Sequence, residues 1–229
     1  MDLGGLVSRN ARTVPDKEGL IYEDKRYMWK EVNEKVNAIS NTLLKGGLKK
    51  GDKVAMWMFN TDLFVFTFYA IAKAGGVAVP VNFRLAPPEA EFIFDHCDAV
   101  ALVFDDVFEP AVKDMKARFS KIKNIYSAGV GRFPEVESIA DVMESGSKDE
   151  PQVKVDEFDE SEIIYTSGTT GRPKGAVLTH HNQMVLTTSV ASLVGMGSKD
   201  RILHAAPLFH AAELNLYLHP GTYMEAHTW

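Results

Sequence analysis

Short apolar runs alternate with helical patterns over the middle of this chain. A short apolar run predicts a strand, and apolar residues that recur three or four positions apart predict a helix. The predicted strands are 53–59, 77–81, 99–104 and 122–127, and the predicted helices between them are 61–74, 87–95 and 107–119. Strands that alternate with helices pair in parallel through right-handed crossovers. The pattern therefore predicts an α/β fold with layered, mostly parallel sheets flanked by helices.

The segments on either side of this pattern are less regular. Residues 1–30 are expected to form an adaptor segment with a short hairpin at Glu23–Lys25, and Trp29–Lys45 is expected to form a helix. Residues 128–160 are rich in Gly, Pro and acidic residues, which is typical of a solvated connector with one short helix near Ser138–Ser145. We therefore predict an N-terminal α/β subdomain over 1–150 and the start of a second α/β subdomain over 151–229.

The second subdomain begins with two apolar runs on either side of a glycine-rich stretch. Each run predicts a strand, at 162–166 and 176–178, and a helix is expected from Thr179 to about Met196. A further strand over 201–206 and a helix over 211–218 follow, and Pro220-Gly221 is expected to break that helix.

Composition and charge narrow the function classes. The 229 residues are 45% hydrophobic and carry a net charge of −6, with no basic stripe, so nucleic acid is not an expected partner. The single cysteine, Cys97, excludes an internal disulfide and is predicted to pack in the core. The longest apolar run, Leu63–Ala72, is too short to cross a bilayer, which takes about 20 residues. We expect a cytoplasmic protein without a transmembrane segment.

The stretch between the two later strands has the residue types of an anion site. It runs Tyr-Thr-Ser-Gly-Thr-Thr-Gly-Arg-Pro-Lys-Gly from Tyr165 to Gly175. Backbone N–H groups, four hydroxyls and the Lys174 ammonium are predicted to surround a polyphosphate. Glycines at 168, 171 and 175 are expected to permit positive φ and close approach and to keep the loop mobile. The stretch is not a Walker A loop, because Lys174 is followed by Gly175 rather than by Ser or Thr.

These eleven residues resemble the phosphate-loop signature of the adenylate-forming superfamily, which includes acyl-CoA synthetases, luciferases and the adenylation domains of peptide synthetases. Three further stretches are similar to the family: Gly75–Asn82, Leu178–Asn182 and Pro207-Leu208-Phe209-His210. His181 stands where the family often has Arg. The resemblance runs along nearly the whole chain, and it implies the N-terminal portion of the family's large domain, in incomplete form.

The resemblance implies an acyl-CoA synthetase, with ATP, Mg²⁺ and coenzyme A as cofactors or cosubstrates. A carboxylic acid, with a fatty acid favoured over an aryl acid, would attack the α-phosphate of ATP, and the acyl-adenylate would then pass to the thiol. Lys174 and His210 are the implied catalytic residues, with His210 orienting the carboxylate. The implied nucleotide-binding residues are Thr166, Ser167, Gly168, Thr169, Thr170, Gly171 and Lys174. No metal ligand is assigned, because the histidines lack metal-ligand spacing. A homodimer is a further possibility.

Family members are more than twice as long as this chain. The segments expected to hold the adenine, the ribose, the magnesium-binding Glu and the catalytic Lys of the C-terminal domain would follow Trp229 in such a protein. The sequence is therefore expected to be an N-terminal fragment or truncated gene product, inactive or nearly so in isolation. The alternative is a non-catalytic nucleotide-binding or interaction module.

Simpler interpretations stay open for the individual residues. The glycine-rich stretch could be a plain hairpin between two strands, although a hairpin needs no combination of hydroxyls and Lys. Lys174 could be a solvated surface residue. His210 could be a structural histidine that follows an apolar turn.

Overall fold

A computed structural model describes residues 1–129, 136–166 and 172–228. The strands are β1 Glu18–Tyr22, β2 Lys25–Met28, β3 Lys53–Trp57, β4 Val77–Pro80, β5 Ala99–Phe104, β6 Asn124–Ser127, β7 Glu137–Ser138, β8 Glu160–Thr166, β9 Lys174–Thr179, β10 Arg201–Ile202 and β11 His227–Thr228. The helices are α1 Leu3–Thr13, α2 Trp29–Lys45, α3 Asp62–Lys73, α4 Pro87–His96, α5 Glu109–Met115, α6 Ile139–Ser145, α7 His180–Val194, α8 Ala211–Glu213 and α9 His219–Tyr223. A π-helical turn, Leu214–Leu218, joins α8 to α9.

A seven-stranded sheet forms the centre of the molecule. Its order is β7-β6-β5-β3-β4-β8-β9, and every neighbouring pair is parallel except β8 and β9. Parallel strands with helices on both faces are buried on both sides, which explains their nearly continuous apolar sequences. In β3, Val54 and Met56 face the larger core under α1, α2, α3 and α6, whereas Ala55 and Trp57 face a smaller core under α4 and α5. The predicted parallel α/β architecture is confirmed.

A second sheet of four strands, in the order β10-β11-β1-β2, lies outside the main one. The predicted hairpin at Glu23–Lys25 is confirmed as β1 and β2, and Glu23 occupies the left-handed region with φ 52°. The strand β1 also pairs in parallel with β11, which comes from the far end of the chain. The two ends of the sequence therefore meet in one sheet.

The sequence predicted an adaptor segment over residues 1–30, whereas the structure has a helix there, α1. In α1, Asp2 caps the helix by accepting a hydrogen bond from the Gly5 N–H at 2.8 Å, and Leu3, Leu6 and Val7 are fully buried. A Cβ at Gly4 would lie 2.8 Å from the Lys73 Cα. Gly4 therefore allows α1 to approach the backbone of α3 closely, and that approach outweighs the low helix propensity of glycine.

Two predicted elements near the C-terminus differ from the structure. The strand expected over 201–206 covers only Arg201–Ile202, and the residues after it follow an irregular path. Pro220 does not break the helix, because the helical segment passes from the π-helical turn directly into α9 and continues to Tyr223. Within the described residues, no helix is long and apolar enough to cross a membrane. The division into subdomains at about residue 150 stays a prediction; β8, from the second part, pairs with β4 from the first.

Candidate functional site

A pocket of about 480 Å³ opens at the carboxyl ends of β4 and β8. Ligands of open parallel sheets bind at this edge, where the loops after the strands converge. Its walls are mainly apolar and are formed by Pro80, Asn82, Leu85, Ile93, Ile164, Tyr165, Thr166, Pro173, Phe209, His210 and Ala211. The pocket thus brings together two sequence-predicted site residues, Thr166 and His210, which are 44 positions apart in the chain.

The glycine-rich stretch lies between two strands that form an antiparallel hairpin. Thr166 is the last residue of β8 and Lys174 is the first of β9, and the two are directly paired. Both are exposed at this edge of the sheet. Ser167, Gly168, Thr169, Thr170 and Gly171 lie outside the described residues. The two predicted strands are confirmed, and the assignment of the loop to phosphates stays a prediction.

Gly175 shows why this hairpin needs a glycine. Its partner across the ladder is Tyr165, and a Cβ at Gly175 would lie 2.7 Å from the Ile163 Cγ2 and 3.2 Å from the Tyr165 ring. The residue is therefore required by close packing against β8. Gly175 is not among the glycines with positive φ, so backbone conformation is not the reason.

His210 lies at the start of the helical segment formed by α8, the π-helical turn and α9. Its Nδ1 accepts a hydrogen bond from the Ala212 N–H at 3.2 Å, so the imidazole caps the helix, and the residue is exposed at the pocket. This contact makes Nδ1 the unprotonated nitrogen in the neutral ring and leaves Nε2–H as a donor. A donor at this place suits a carboxylate ligand.

Tyr165 links the pocket to α4. Its hydroxyl lies 2.7 Å from the His96 Nδ1, and burial raises the pKa of Tyr165, so the phenol is neutral at physiological pH. His96 belongs to no motif in the sequence. Its position at the end of an amphipathic helix carried no signal, because only the tertiary fold places that helix beside β8.

A buried carboxyl, Glu162, lies on β8 two residues before Ile164, which lines the pocket. Its Oε1 accepts hydrogen bonds from the Asn215 Nδ2 at 2.7 Å and from the Gln183 Nε2, while its Oε2 has no protein partner. Burial raises its pKa to about 8, and the Asn215 hydrogen bond opposes that rise. Glu162 thus ties β8, α7 and the π-helical turn together. A charged residue inside an apolar run was the available signal for this carboxyl.

The polar groups at the pocket edge are of a kind that binds anionic ligands. Thr166 and His210 line the pocket with a hydroxyl and an imidazole, and Lys174 pairs with Thr166 across the hairpin. All three side chains can donate hydrogen bonds, and donors bind anions such as phosphate and carboxylate. No group of three or more His, Cys, Asp or Glu that could hold a metal ion occurs in the ranges 1–129, 136–166 and 172–228.

Comparison with known proteins identifies the family. A family model described as AMP-binding enzyme matches residues 7–226. The long-chain-fatty-acid–CoA ligase FadD13 of Mycobacterium tuberculosis is 33% identical over 215 residues, which cover 93% of this chain and 42% of FadD13. The feruloyl-CoA synthase of an Amycolatopsis species is 32% identical over 218 residues, covering 95% of this chain and 41% of the synthase. The chain thus spans less than half the length of these relatives.

A solved structure has the same fold. The inhibitor-bound N-terminal domain of FACL13 from Mycobacterium tuberculosis superimposes with a TM-score of 0.89 at 29% identity, over all of this chain and 57% of that domain. The architecture, the central sheet and the length of the matched region agree with the resemblance found in the loop and in Pro207–His210. The chain belongs to the family of AMP-binding enzymes.

Proposed function

We propose that this chain is the portion of an acyl-CoA synthetase that binds the phosphates of ATP and the carboxylic acid. The observation that carries this proposal is the pocket that joins an apolar interior to donor groups at its edge. His210 and Thr166 line it together, and Lys174 is paired with Thr166. An acid with an apolar tail matches such a pocket, because the tail contacts the apolar walls and the carboxylate meets the donors.

The proposed reaction begins when a carboxylate oxygen attacks the α-phosphate of ATP. An acyl–phosphate bond forms, the bond to the β-phosphate oxygen breaks, and pyrophosphate leaves with the electron pair. The protein's contribution to such a step is placement and stabilisation of charge on the phosphate oxygens. The His210 Nε2–H would orient the carboxylate, and the Thr166 hydroxyl and the Lys174 ammonium would hold the leaving phosphates together with Ser167–Gly171.

Mg²⁺ would enter bound to the ATP phosphates and would offset their negative charge. In the second step a thiol, with coenzyme A as the proposed one, would attack the acyl carbon and release AMP. A fatty acid is the proposed acid, because the described pocket walls at Ile93, Ile164 and Leu85 are aliphatic. FadD13 is named for long-chain fatty acids, whereas the Amycolatopsis relative is named for ferulate.

Binding of MgATP to the 229-residue chain tests the phosphate part of the proposal. We expect Lys174→Ala to weaken MgATP binding about tenfold, the loss of one charge-assisted contact. Lys154→Ala is the matched control, because Lys154 is an exposed Lys that precedes β8 and so lies at the opposite end of that strand. Equal affinities of the two variants for MgATP would make Lys174 a solvated surface residue and would contradict its proposed role.

Acid-dependent release of pyrophosphate separates an enzyme from a binding module. The chain is mixed with MgATP and decanoate, and pyrophosphate and trapped acyl hydroxamate are measured. Binding of MgATP without any acid-dependent product would favour the non-catalytic alternative for this length of chain. The same assay on a protein extended to the length of the relatives tests the family reaction itself.

Two further parts of the proposal, the cellular location and the oligomeric state, concern the whole protein. We propose a cytoplasmic location, which is supported by a single, buried cysteine. We also propose a homodimer, which is supported by the apolar side chains that α7 exposes, Leu193 at 87% and Val194 at 61%. Sedimentation of the chain at several concentrations tests self-association, and Leu193→Glu should shift the dimer towards monomer.

A further inference from the structure

The segment that carries His210 has little secondary structure of its own. Residues 203–210 lie between β10 and α8, and two backbone hydrogen bonds form within them, from Ala205 N–H to Leu203 O at 3.1 Å and from His210 N–H to Pro207 O at 3.0 Å. A loop with so few internal bonds has no fixed path unless other elements hold it. The place of the imidazole at the pocket therefore depends on contacts from outside the loop.

The Asn60 side chain makes three hydrogen bonds to the backbone of this loop. The Asn60 Oδ1 accepts a hydrogen bond from the Leu208 N–H at 2.8 Å, and the Asn60 Nδ2 donates to the Ala206 carbonyl at 2.7 Å and, at 3.4 Å, to the His204 carbonyl. A carboxamide is the side-chain group that offers an acceptor and a donor in one plane, as a neighbouring strand does. Asn60 thus takes the place of a strand partner for the loop.

Asn60 is itself held at the carboxyl end of β3. The N–H of the adjacent Phe59 donates to the Asp105 Oδ2, at the end of β5. The Phe59 ring lies 4.7 Å from the Phe83 ring, and the Phe83 ring meets Phe209 edge-on at 5.1 Å. The loop is therefore held at two places before His210. The Asn60 amide bonds the backbone of residues 204–208, and the Phe209 ring contacts Phe83.

Asn60 is not needed to cap the helix that follows it. The cap of α3 is Thr61, whose side chain accepts a hydrogen bond from the Phe64 N–H at 3.3 Å. The Asn60 side chain makes its hydrogen bonds across 144 to 148 positions of sequence, to the His210 loop. Its contacts serve the site rather than local helix formation.

We propose that Asn60 is a positioning residue, which holds the backbone of residues 206–208 so that the His210 imidazole faces the carboxylate of the acid substrate. The role of His210 in this statement rests on the proposed function. The placement of the loop by Asn60 stands on the hydrogen bonds alone. The two parts can therefore be tested separately.

The first test follows the loop itself in the 229-residue chain, by amide hydrogen exchange and by the NMR signals of the His210 ring. Asn60→Ala should remove the exchange protection of the Leu208 amide and shift or broaden the His210 signals. Asn41→Ala is the matched control, because the Asn41 Nδ2 likewise donates to two backbone carbonyls, of Ser147 and Asp149, away from the site. That variant should leave Leu208 and His210 unchanged. Wild-type protection and signals in Asn60→Ala would overturn the proposal.

A conservative variant separates the acceptor from the donor. In Asn60→Asp an ionised carboxylate can still accept the hydrogen bond from the Leu208 N–H, but it is an acceptor alone and cannot donate to the Ala206 carbonyl. Leu208 should therefore keep more exchange protection in Asn60→Asp than in Asn60→Ala, while the His210 signals shift in both variants. Equal loss of Leu208 protection in the two variants would mean that packing, and not the paired hydrogen bonds, holds the loop, and it would overturn the proposal.

The second test measures binding of decanoate and MgATP. Asn60→Ala should weaken decanoate binding about tenfold, by the same factor expected for His210→Ala, and leave MgATP affinity within about twofold. Equal weakening of decanoate binding by Asn41→Ala would reduce the effect to general stability and overturn the positioning role. If the wild-type chain binds no decanoate, the proposed function fails for this chain, while the exchange and NMR results still decide whether Asn60 holds the loop.

Discussion

Two buried ionisable side chains, Lys73 and Glu162, have opposite surroundings. The Lys73 Nζ donates to the Asn33 Oδ1 at 2.6 Å and to the Asn37 Oδ1 at 2.7 Å, and it pairs with the Glu150 carboxylate at 3.1 Å. Glu162 has two amide donors on one oxygen, none on the other, and no cation in contact within the described residues. One group is buried with its counter-charge, and the other is buried without one.

The presence or absence of a counter-charge determines what the groups around Lys73 and around Glu162 do. Desolvation lowers the pKa of Lys73 and Glu150 opposes this, so the pair fixes the charge and fastens the connector to α2 and α3. The asparagines of α2 at positions 33, 37 and 41 extend the same fastening to residues 147–150. Glu162 instead holds its proton to about pH 8. The strand β8, the helix α7 and the π-helical turn therefore meet at a carboxyl group whose protonation depends on pH.

The largest expected effect is a pH dependence of stability from Glu162. Its pKa in the folded protein is above the usual value, so the native state binds the extra proton and stability falls as pH rises from about 4.5 to about 8. The loss is about 1.4 kcal/mol per pH unit, or roughly 4 kcal/mol between pH 5 and 8. Urea unfolding at several pH values measures it.

Glu162→Gln isolates this contribution from other titrating groups. Its neighbour Tyr69, and His219 bonded to Tyr69, stay neutral in this range, because burial raises the pKa of the phenol and lowers that of the imidazole to about 3. Asp105, whose pKa burial raises to about 6, contributes equally to both proteins. The variant should match wild type within about 1 kcal/mol at pH 5 and exceed it at pH 8. Parallel curves would mean that Glu162 is ionised in the native protein.

Replacement of the charged group in the other cluster is expected to have a smaller effect. Lys73→Met should cost about 2 kcal/mol, because it leaves the buried Asn37 Oδ1 without its donor, while Glu150 is half-exposed and regains water. Lys121→Met is the matched control, since Lys121 and Asp98 form an ion pair at the surface, where water screens the two charges. Thermal or urea unfolding gives both values. Equal losses would show that the Lys73 cluster is no stronger than a surface ion pair.

The smallest expected effect on stability comes from Gly4, which lets α1 approach the backbone of α3 at Lys73. Gly4→Ala should cost about 1 to 2 kcal/mol, because the added methyl would overlap the Lys73 backbone, less the gain from better helix propensity. Gly197→Ala has nothing within 4 Å of the added carbon and an ordinary φ, so it should be nearly neutral. Urea unfolding of the two variants measures the difference. An unchanged free energy of unfolding in Gly4→Ala would mean that α1 can shift away from α3 at no cost in stability.

The parts of the fold that were predictable are those with a strong local pattern. The strands at 99–104 and 53–57 are buried on both faces, and the helix Trp29–Lys45 has one apolar face, so their periods are plain in the sequence. In contrast, α1 has two glycines in its first turn, and the strand expected over 201–206 covers only Arg201–Ile202, with Asn60 bonded to the backbone beyond it. Contacts across more than 100 positions leave no local period.

The candidate site divides in the same way. The loop from Thr166 to Lys174 and the motif ending at His210 were identified from residue types and resemblance, and the structure places Thr166 and His210 on one pocket. Ser167–Gly171 stay predictions. The supporting residues Asn60, His96 and Glu162 were missed, because an Asn, a His or a Glu in isolation has many uses and only the folded chain selects one.

The sequence by itself determined the α/β class, the strands that flank the glycine-rich loop and the family, because apolar periodicity and a contiguous motif are local properties. Tertiary structure alone decided that Thr166 and His210 line one pocket. It also decided that Lys73 is buried with a carboxylate and Glu162 without a cation. These outcomes depend on which distant groups share a low-dielectric interior, where an unpaired charge is costly and a counter-charge offsets part of that cost.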